Sequence, residues 1–279
     1  MEEVLILECP LSDKNSEHQN SDSRKGGSRL IGKILPPAVR FWLRSQVEQV
    51  DNLEVVLAGR DRQILKGYIP GVKVMAQEVI YRGLYVSEVN LSAGGIRINT
   101  GQVVRGKPLR LLQSFPVLGR VVLSAGDVER SVRSPLLRTG LLEFWRSLVC
   151  LPAVSQAVEA HYGPLPLQPD VVLFDLEIQI AESCLGLSFY PVVRDFQSDT
   201  RVVLATQLSI ADRQYLQLHN PMWLSSLEQL EGYAAGSMVG QPIQPLEGFR
   251  WNLGRETSLT ALEISPVQLI CEGQVAVQP

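Results

Sequence analysis

Residues 71–98 read GVKVMAQEVIYRGLYVSEVNLSAGGIRI. Val, Ile and Tyr dominate and helix signals are nearly absent, so the stretch predicts a pair of long β-strands. The apolar positions do not keep one parity. Val72, Val74 and Ala76 step by two; steps of three then lead to Val79 and Tyr81, to Leu84 and Val86, and to Val89 and Leu91. A step of three inserts one residue into a period of two, which in a sheet marks a bulge, and bulges bend and twist a strand. The expectation is a coiled, bulged antiparallel sheet with apolar residues on both faces. Something apolar must cover its concave side: a helix, a second sheet or a ligand.

The cadence returns further along the chain. Val86, Val89, Leu91, Ile96 and Ile98 share their spacing with Leu259, Leu262, Ile264, Leu269 and Cys271, while Ala205, Leu208, Ile210 and Tyr215 repeat its first three steps. The gaps hold SAGG, SPVQ and ADRQ, so three related β-hairpins are expected, with coincidence among common apolar residues as the alternative. Further strands are expected in VVLFDLEIQIA (171–181), LGLSFYPVV, RVVLATQLSI and RQYLQLHN, and over 258–264 and 267–277. Residues 53–66 read as strand, charged bend, strand.

Pro36-Pro37 opens a helix expected to run to residue 50, proline being tolerated in a first turn. Val39, Trp42, Leu43, Val47 and Val50 would share one face, with Arg40, Arg44 and Glu48 on another. Ser124 and Asp127 have capping-box spacing at a strand-to-helix step, and Ser134-Pro135 supplies a cap and first residue for the next helix. Leu137, Leu141, Phe144, Trp145 and Leu148 form its broad apolar face, flanked by Arg133, Arg138 and Arg146. Such stripes usually face a core, though Trp and Phe beside Arg also suit a bilayer interface. Shorter helices are expected over 152–161 and 224–235. Strands and helices are grouped rather than alternating, which predicts an α+β fold.

The bulk numbers set limits. A chain of 279 residues with 45% apolar content can bury a large core. No apolar run approaches the roughly 20 residues that span a membrane. The start, MEEVLILECP, is acidic with a short apolar run, unlike a signal peptide, so a cytoplasmic protein, free or peripheral to a membrane, is expected. Residues 9–29 are polar and aperiodic, and 1–29 are expected to be a disordered polar tail before a single domain over 30–279. Cys9, Cys150, Cys184 and Cys271 form no close pairs and are expected to be reduced. Net charge is −3, but residues 30–146 carry +8 and residues 147–279 carry −9. That division implies either complementary halves or a basic face for an anionic partner.

Catalytic signatures are weak. Gly101–Lys107, GQVVRGK, matches a phosphate-loop spacing until Pro108 replaces the hydroxyl residue that binds magnesium. His18, His161 and His219 have no Cys or His at ligand spacing, so no metal site is expected. GSMVG (236–240) places its serine one position early for a nucleophile elbow. Asp175 and Glu177 share a strand face, as solvated pairs often do. No catalytic residue, cofactor or nucleic-acid partner is predicted.

PPAVRFWLRSQVEQV, IYRGLYVSEVNL, LSAGDVERSVRSPLL and the closing FRWNLGRETSLTALEISPVQLICEGQVAVQP resemble the bacterial LmeA-type phospholipid-binding family over roughly residues 30–279. Asn252 stands where an Asp is expected in a closing DLG-like step. The resemblance implies a relation to the tubular lipid-binding (TULIP) fold, a half-barrel in which a coiled sheet wraps one long helix around an apolar groove. It also implies a non-enzymatic protein that holds a phospholipid or other acyl lipid. Docking on anionic membrane surfaces through the basic half belongs to the same expectation. Candidate groove residues, chosen by size and helical face, are Trp42, Leu43, Val47, Leu141 and Trp145; candidate membrane contacts are Arg133, Arg138 and Arg146. The alternative is a structural or assembly module with a self-filled core and a protein partner.

Overall fold

The computed structural model of the protein describes residues 36–103, 105–165, 171–193, 196–197, 199–237 and 239–279. The expected polar tail over 1–29 lies outside them.

The chain opens with helix α1 (36–44), then β1 (Gln49–Ala58), α2 (Asp61–Leu65), β2 (Tyr68–Tyr81), β3 (Leu84–Arg97), α3 (Thr100–Val103) and β4 (Phe115–Ser124). Three helices follow: α4 (Ala125–Ser131), α5 (Pro135–Val149) and α6 (Pro152–Tyr162). A second set of strands comprises β5 (Val172–Ala181), β6 (Cys184–Val193), β7 (Phe196–Gln197), β8 (Val202–Ala211) and β9 (Tyr215–Trp223). The remainder is α7 (Leu230–Ala234), β10 (Gln241–Pro242), β11 (Arg250–Asn252), β12 (Thr257–Ile264) and β13 (Gln268–Val277). The architecture is α+β, with two antiparallel sheets. The first has the order β1-β2-β3-β4-β13-β12; the second has β10-β9-β8-β6-β5, with β7 on β6 and β11 on β9. The chain therefore lays down four strands of the first sheet, builds the second, and returns to complete the first.

The opening stretch forms the long hairpin β2–β3, closed between Tyr81 and Leu84 by Arg82 and Gly83. Both turn residues have positive φ, 49° and 75°. That is the turn whose twist matches the strands, and glycine takes the second position without steric cost. A bulge falls where the parity first breaks: the β1–β2 register shifts around Asp51, beside Asn52 and Glu78, both in left-handed conformation. Comparable shifts interrupt β5 near Asp175, the β8–β9 pair near Asn220, and β12 after Leu259. Two of the three expected hairpins form, with SPVQ and ADRQ at the β12–β13 and β8–β9 turns. SAGG does not turn. It lies inside β3, where Gly94 pairs with Gly71 across the ladder, because the hairpin had already reversed at Arg82-Gly83.

The opening helix is shorter than its apolar spacing implies, and the described residues contain no single long helix wrapped by a sheet. α1 ends at residue 44, with Ser45 N–H donating to Phe41 O at 3.0 Å, and the Ser45 hydroxyl donates to the Trp42 carbonyl at 2.7 Å. Glu48 N–H then donates to Ile80 O at 2.8 Å, and Gln49 begins β1. Val47 and Val50 satisfy helical spacing, but the free edge of β2 offers ladder hydrogen bonds that the helix would forgo. Residues 61–65 are likewise a helical turn rather than a strand.

The two sheets bury differently. Residues 202–206 of β8 are all buried, because α5 and α6 cover one face of the second sheet and α7 the other. The first sheet is covered on one face only. Its other face carries cross-strand ion pairs, Arg120 lying 3.2 Å from Glu272 and 3.8 Å from Glu88. Edge strand β12 joins the sheets: Ser183 N–H donates to Ile264 O at 3.0 Å, and Leu259 N–H to Arg213 O at 2.7 Å. Two hairpin turns of the second sheet thus satisfy edge groups of the first, which would otherwise stand unpaired.

Helix α4 completes the joint. The expected capping box is present, with Ser124 N–H donating to Asp127 Oδ2 at 3.0 Å and Asp127 N–H to Ser124 Oγ at 3.1 Å. The Ser87 hydroxyl and the Arg130 guanidinium also donate to the Asp127 carboxylate. Ser131 Oγ accepts from Tyr85 N–H at 2.8 Å, and Arg130 lies over the Tyr85 ring. Ser134 caps α5 by accepting from Leu137 N–H at 3.1 Å. Asn252, in place of the expected Asp, accepts from Gly254 N–H at 2.8 Å, so the closing turn keeps its side-chain acceptor.

Candidate functional site

The covered face of the first sheet carries a cross-strand row of apolar side chains. Successive pairings place Leu57, Val72, Ala93, Val117 and Val275 side by side. The smallest member, Ala93, stands in the middle, and the row is hollow there. Val39, Trp42 and Leu43 of α1 roof the hollow, while Ile98, Leu109, Leu111 and Phe115 wall it at the end where α2 and α3 connect the strands. The resulting cavity measures about 170 Å³ and presents no polar atom. An apolar hollow of this kind offers water no hydrogen-bond partner and suits apolar ligands.

The five candidate groove residues do not share one site. Trp42 and Leu43 roof the cavity. Val47 lies beyond α1 and packs further along the same sheet face, beside Leu53 and Val79. Trp145 is 1% exposed in the other core, edge-on to Phe189 with ring centroids 4.9 Å apart. Leu141, one turn earlier on α5, borders that same core.

The three arginines are also dispersed. Arg133 and Arg138 line an open polar cleft of about 570 Å³ between α4, α5 and β5, together with Glu129, Asp175 and Glu177. Arg201 lies 3.2 Å from Asp175 and 2.9 Å from Glu177 and holds both carboxylates. Arg146 is half-buried on α5, its Nε without a hydrogen-bond partner.

Sequence reasoning missed one polar constellation. Ser209 Oγ lies 2.7 Å from His219 Nε2, and His219 Nδ1 lies 3.7 Å from Glu247 Oε1. The side chains meet because β8 and β9 pair Ser209 with Gln217 and Gln207 with His219. The order resembles a nucleophile–base–acid relay, but two features weaken it. The outer distance is too long for a hydrogen bond. Ser209 also sits within a strand rather than on a sharp turn that aims a nucleophile and its amide at one oxyanion. No group of His, Cys, Asp or Glu able to hold a metal occurs among the described residues. Burial pushes the Cys184 and Cys271 thiols up to about 11, far from a reactive thiolate.

The described residues thus combine a wholly apolar cavity with a helix laid over a single-faced sheet. The chain belongs to the LmeA-like phospholipid-binding family, whose model matches residues 26–274. No curated protein and no solved structure matches it. Family membership points to a phospholipid as partner, and no helix is long and apolar enough to cross a membrane among the described residues.

Proposed function

We propose that the protein is a non-enzymatic phospholipid holder that seats part of an acyl chain in the cavity beneath α1 and docks on anionic membrane surfaces. The observation that carries this reading is the void over Ala93, wholly apolar in a family of phospholipid-binding proteins. Each buried methylene of an acyl chain gains about 0.8 kcal/mol, so even a short length of chain seated there binds favourably. At about 170 Å³ the cavity is below the roughly 300–1,000 Å³ usual for a drug-sized ligand. The remainder of a diacyl lipid must lie at the mouth, or α1 must move aside. Movement of α1 is inexpensive in polar terms, since its contacts with the sheet run through Val39, Trp42 and Leu43. An enlarged groove of the half-barrel kind would be the lipid-loaded state of this same face.

Ala93→Phe tests the reading, because it projects a ring into the void from the middle of the row. Native mass spectrometry of the parent should show a copurifying phospholipid-sized mass, lost in Ala93→Phe. The delipidated variant should be as stable as the parent or more stable by about 0.5–2 kcal/mol, as cavity-filling changes commonly are. A variant that keeps its lipid places the seat elsewhere. Ala93→Leu serves if the larger ring cannot be accommodated.

A further inference from the structure

All the strand connections α2 and α3 make lie at one end of the first sheet, the end opposite α4 and the second sheet. The two segments that build this end, 59–67 and 97–112, contain Arg60, Arg62, Lys66, Arg97, Arg105, Lys107 and Arg110 against one acid, Asp61. All seven are exposed, and none forms an ion pair among the described residues. Elsewhere, Arg120, Arg130, Arg201 and Arg250 are each committed to a carboxylate, the cleft of Arg133 and Arg138 also holds acids, and the other unpaired arginines among the described residues are scattered, Arg40, Arg44 and Arg146 on helices and Arg82, Arg213 and Arg255 in turns.

Charge alone would be a solvated face. Here it surrounds uncovered apolar side chains. Leu65 is 44% and Leu112 60% exposed, and the two line one open groove with Lys66 and Arg105. Phe41, on the outer side of α1, is 77% exposed. The groove also shares a wall with the apolar cavity, since Ile98 lines both. Cations beside protruding apolar side chains, one buried residue away from the apolar cavity, match a bilayer surface: anionic phosphates outside, hydrocarbon within.

We propose that this end is the docking surface for an anionic phospholipid bilayer, with Leu65 and Leu112 entering the interface and Lys66 and Arg105 meeting lipid phosphates. The proposal rests on the lipid-holding reading above and adds where the lipid enters. The residues of the second sheet, within the stretch 147–279 that carries −9, are then turned away from the negative membrane.

The test is vesicle cosedimentation of the full chain at low and physiological salt. One vesicle is phosphatidylcholine alone; the other replaces a third of it with phosphatidylglycerol. The parent should prefer the anionic vesicle and lose binding as salt rises, because screening reaches about 10 Å at 0.1 M. Lys66→Glu/Arg105→Glu should weaken anionic binding about thirtyfold or more, two residues at about 1 kcal/mol each. Leu65→Ser/Leu112→Ser should weaken it at both salt concentrations. Both pairs are exposed, so thermal unfolding should be unchanged. Occupancy by a soluble short-chain phosphatidylcholine, read by native mass spectrometry, should also persist, which separates docking from holding. The proposal is overturned if the parent does not bind anionic vesicles, or if Arg133→Glu/Arg138→Glu abolishes binding while the changes at this end do not. It is equally overturned if the variants at this end lose the short-chain lipid along with the vesicles.

Discussion

Asp127 shows how much one side chain can hold at the joint between the sheets. It is 2% exposed yet charged, a costly state unless hydrogen-bonded. Burial by itself would raise its pKa, but donors from Ser87, Ser124 and Arg130 outweigh that and hold the carboxyl below its ordinary value. A carboxyl whose folded pKa is depressed stabilises the fold above its unfolded pKa of about 3.9 and loses that contribution as pH falls through the folded value. Asp127→Asn should therefore cost about 2–3 kcal/mol near neutrality, the scale of a helix cap plus charge-assisted hydrogen bonds. The gap between the unfolding midpoints of parent and variant should be full at pH 7 and narrow as pH falls below about 4. Parallel curves would show that the carboxylate charge contributes nothing.

At the scale of elements, two tryptophans distinguish core from roof. Trp145 fills the core between α5 and the second sheet, whereas Trp42 covers the cavity of the first. Trp145→Ala should cost about 3–5 kcal/mol, the usual range for a buried aromatic, and leave lipid binding by the surviving folded protein intact. Trp42→Ala should cost less and release lipid. Urea unfolding of delipidated protein, with lipid occupancy on the same samples, checks both; a smaller loss for Trp145→Ala than for Trp42→Ala would reverse the assignment. The sequence carried the caps at Ser124 and Ser134, the long β2–β3 hairpin and the strands of the second sheet, because these follow from local periodicity and turn chemistry. It misplaced the end of α1 because Val47 and Val50 fit a helical stripe as well as a strand edge, and only the presence of β2 decides between them. It could not separate Trp42 from Trp145, since size and helical face are the same whichever core they enter. The cavity was illegible for a related reason. Ala93 is unremarkable until register places it between Val72 and Val117 under Trp42.

For the whole molecule, the returning strands β12 and β13 matter most. They make the last residues of the chain part of the first sheet, and Val277 lines the same cavity as Val39 near the other end of the described chain. The cavity is thus assembled from early and late stretches of the described chain, while the middle builds a second, self-filled core around Trp145, Phe189 and Leu204. In our proposal the lipid tail enters the first of these and not the second. The direct measurement is photocrosslinking of the protein to a phosphatidylcholine bearing a diazirine near the end of one acyl chain, with the adducts located by peptide mass spectrometry. Adducts are expected on residues 39–43, 91–98, 109–117 and 277, the walls of the void over Ala93. Adducts concentrated on residues 141–148 of α5, or spread without preference over the surface, would show that the tail does not sit under α1.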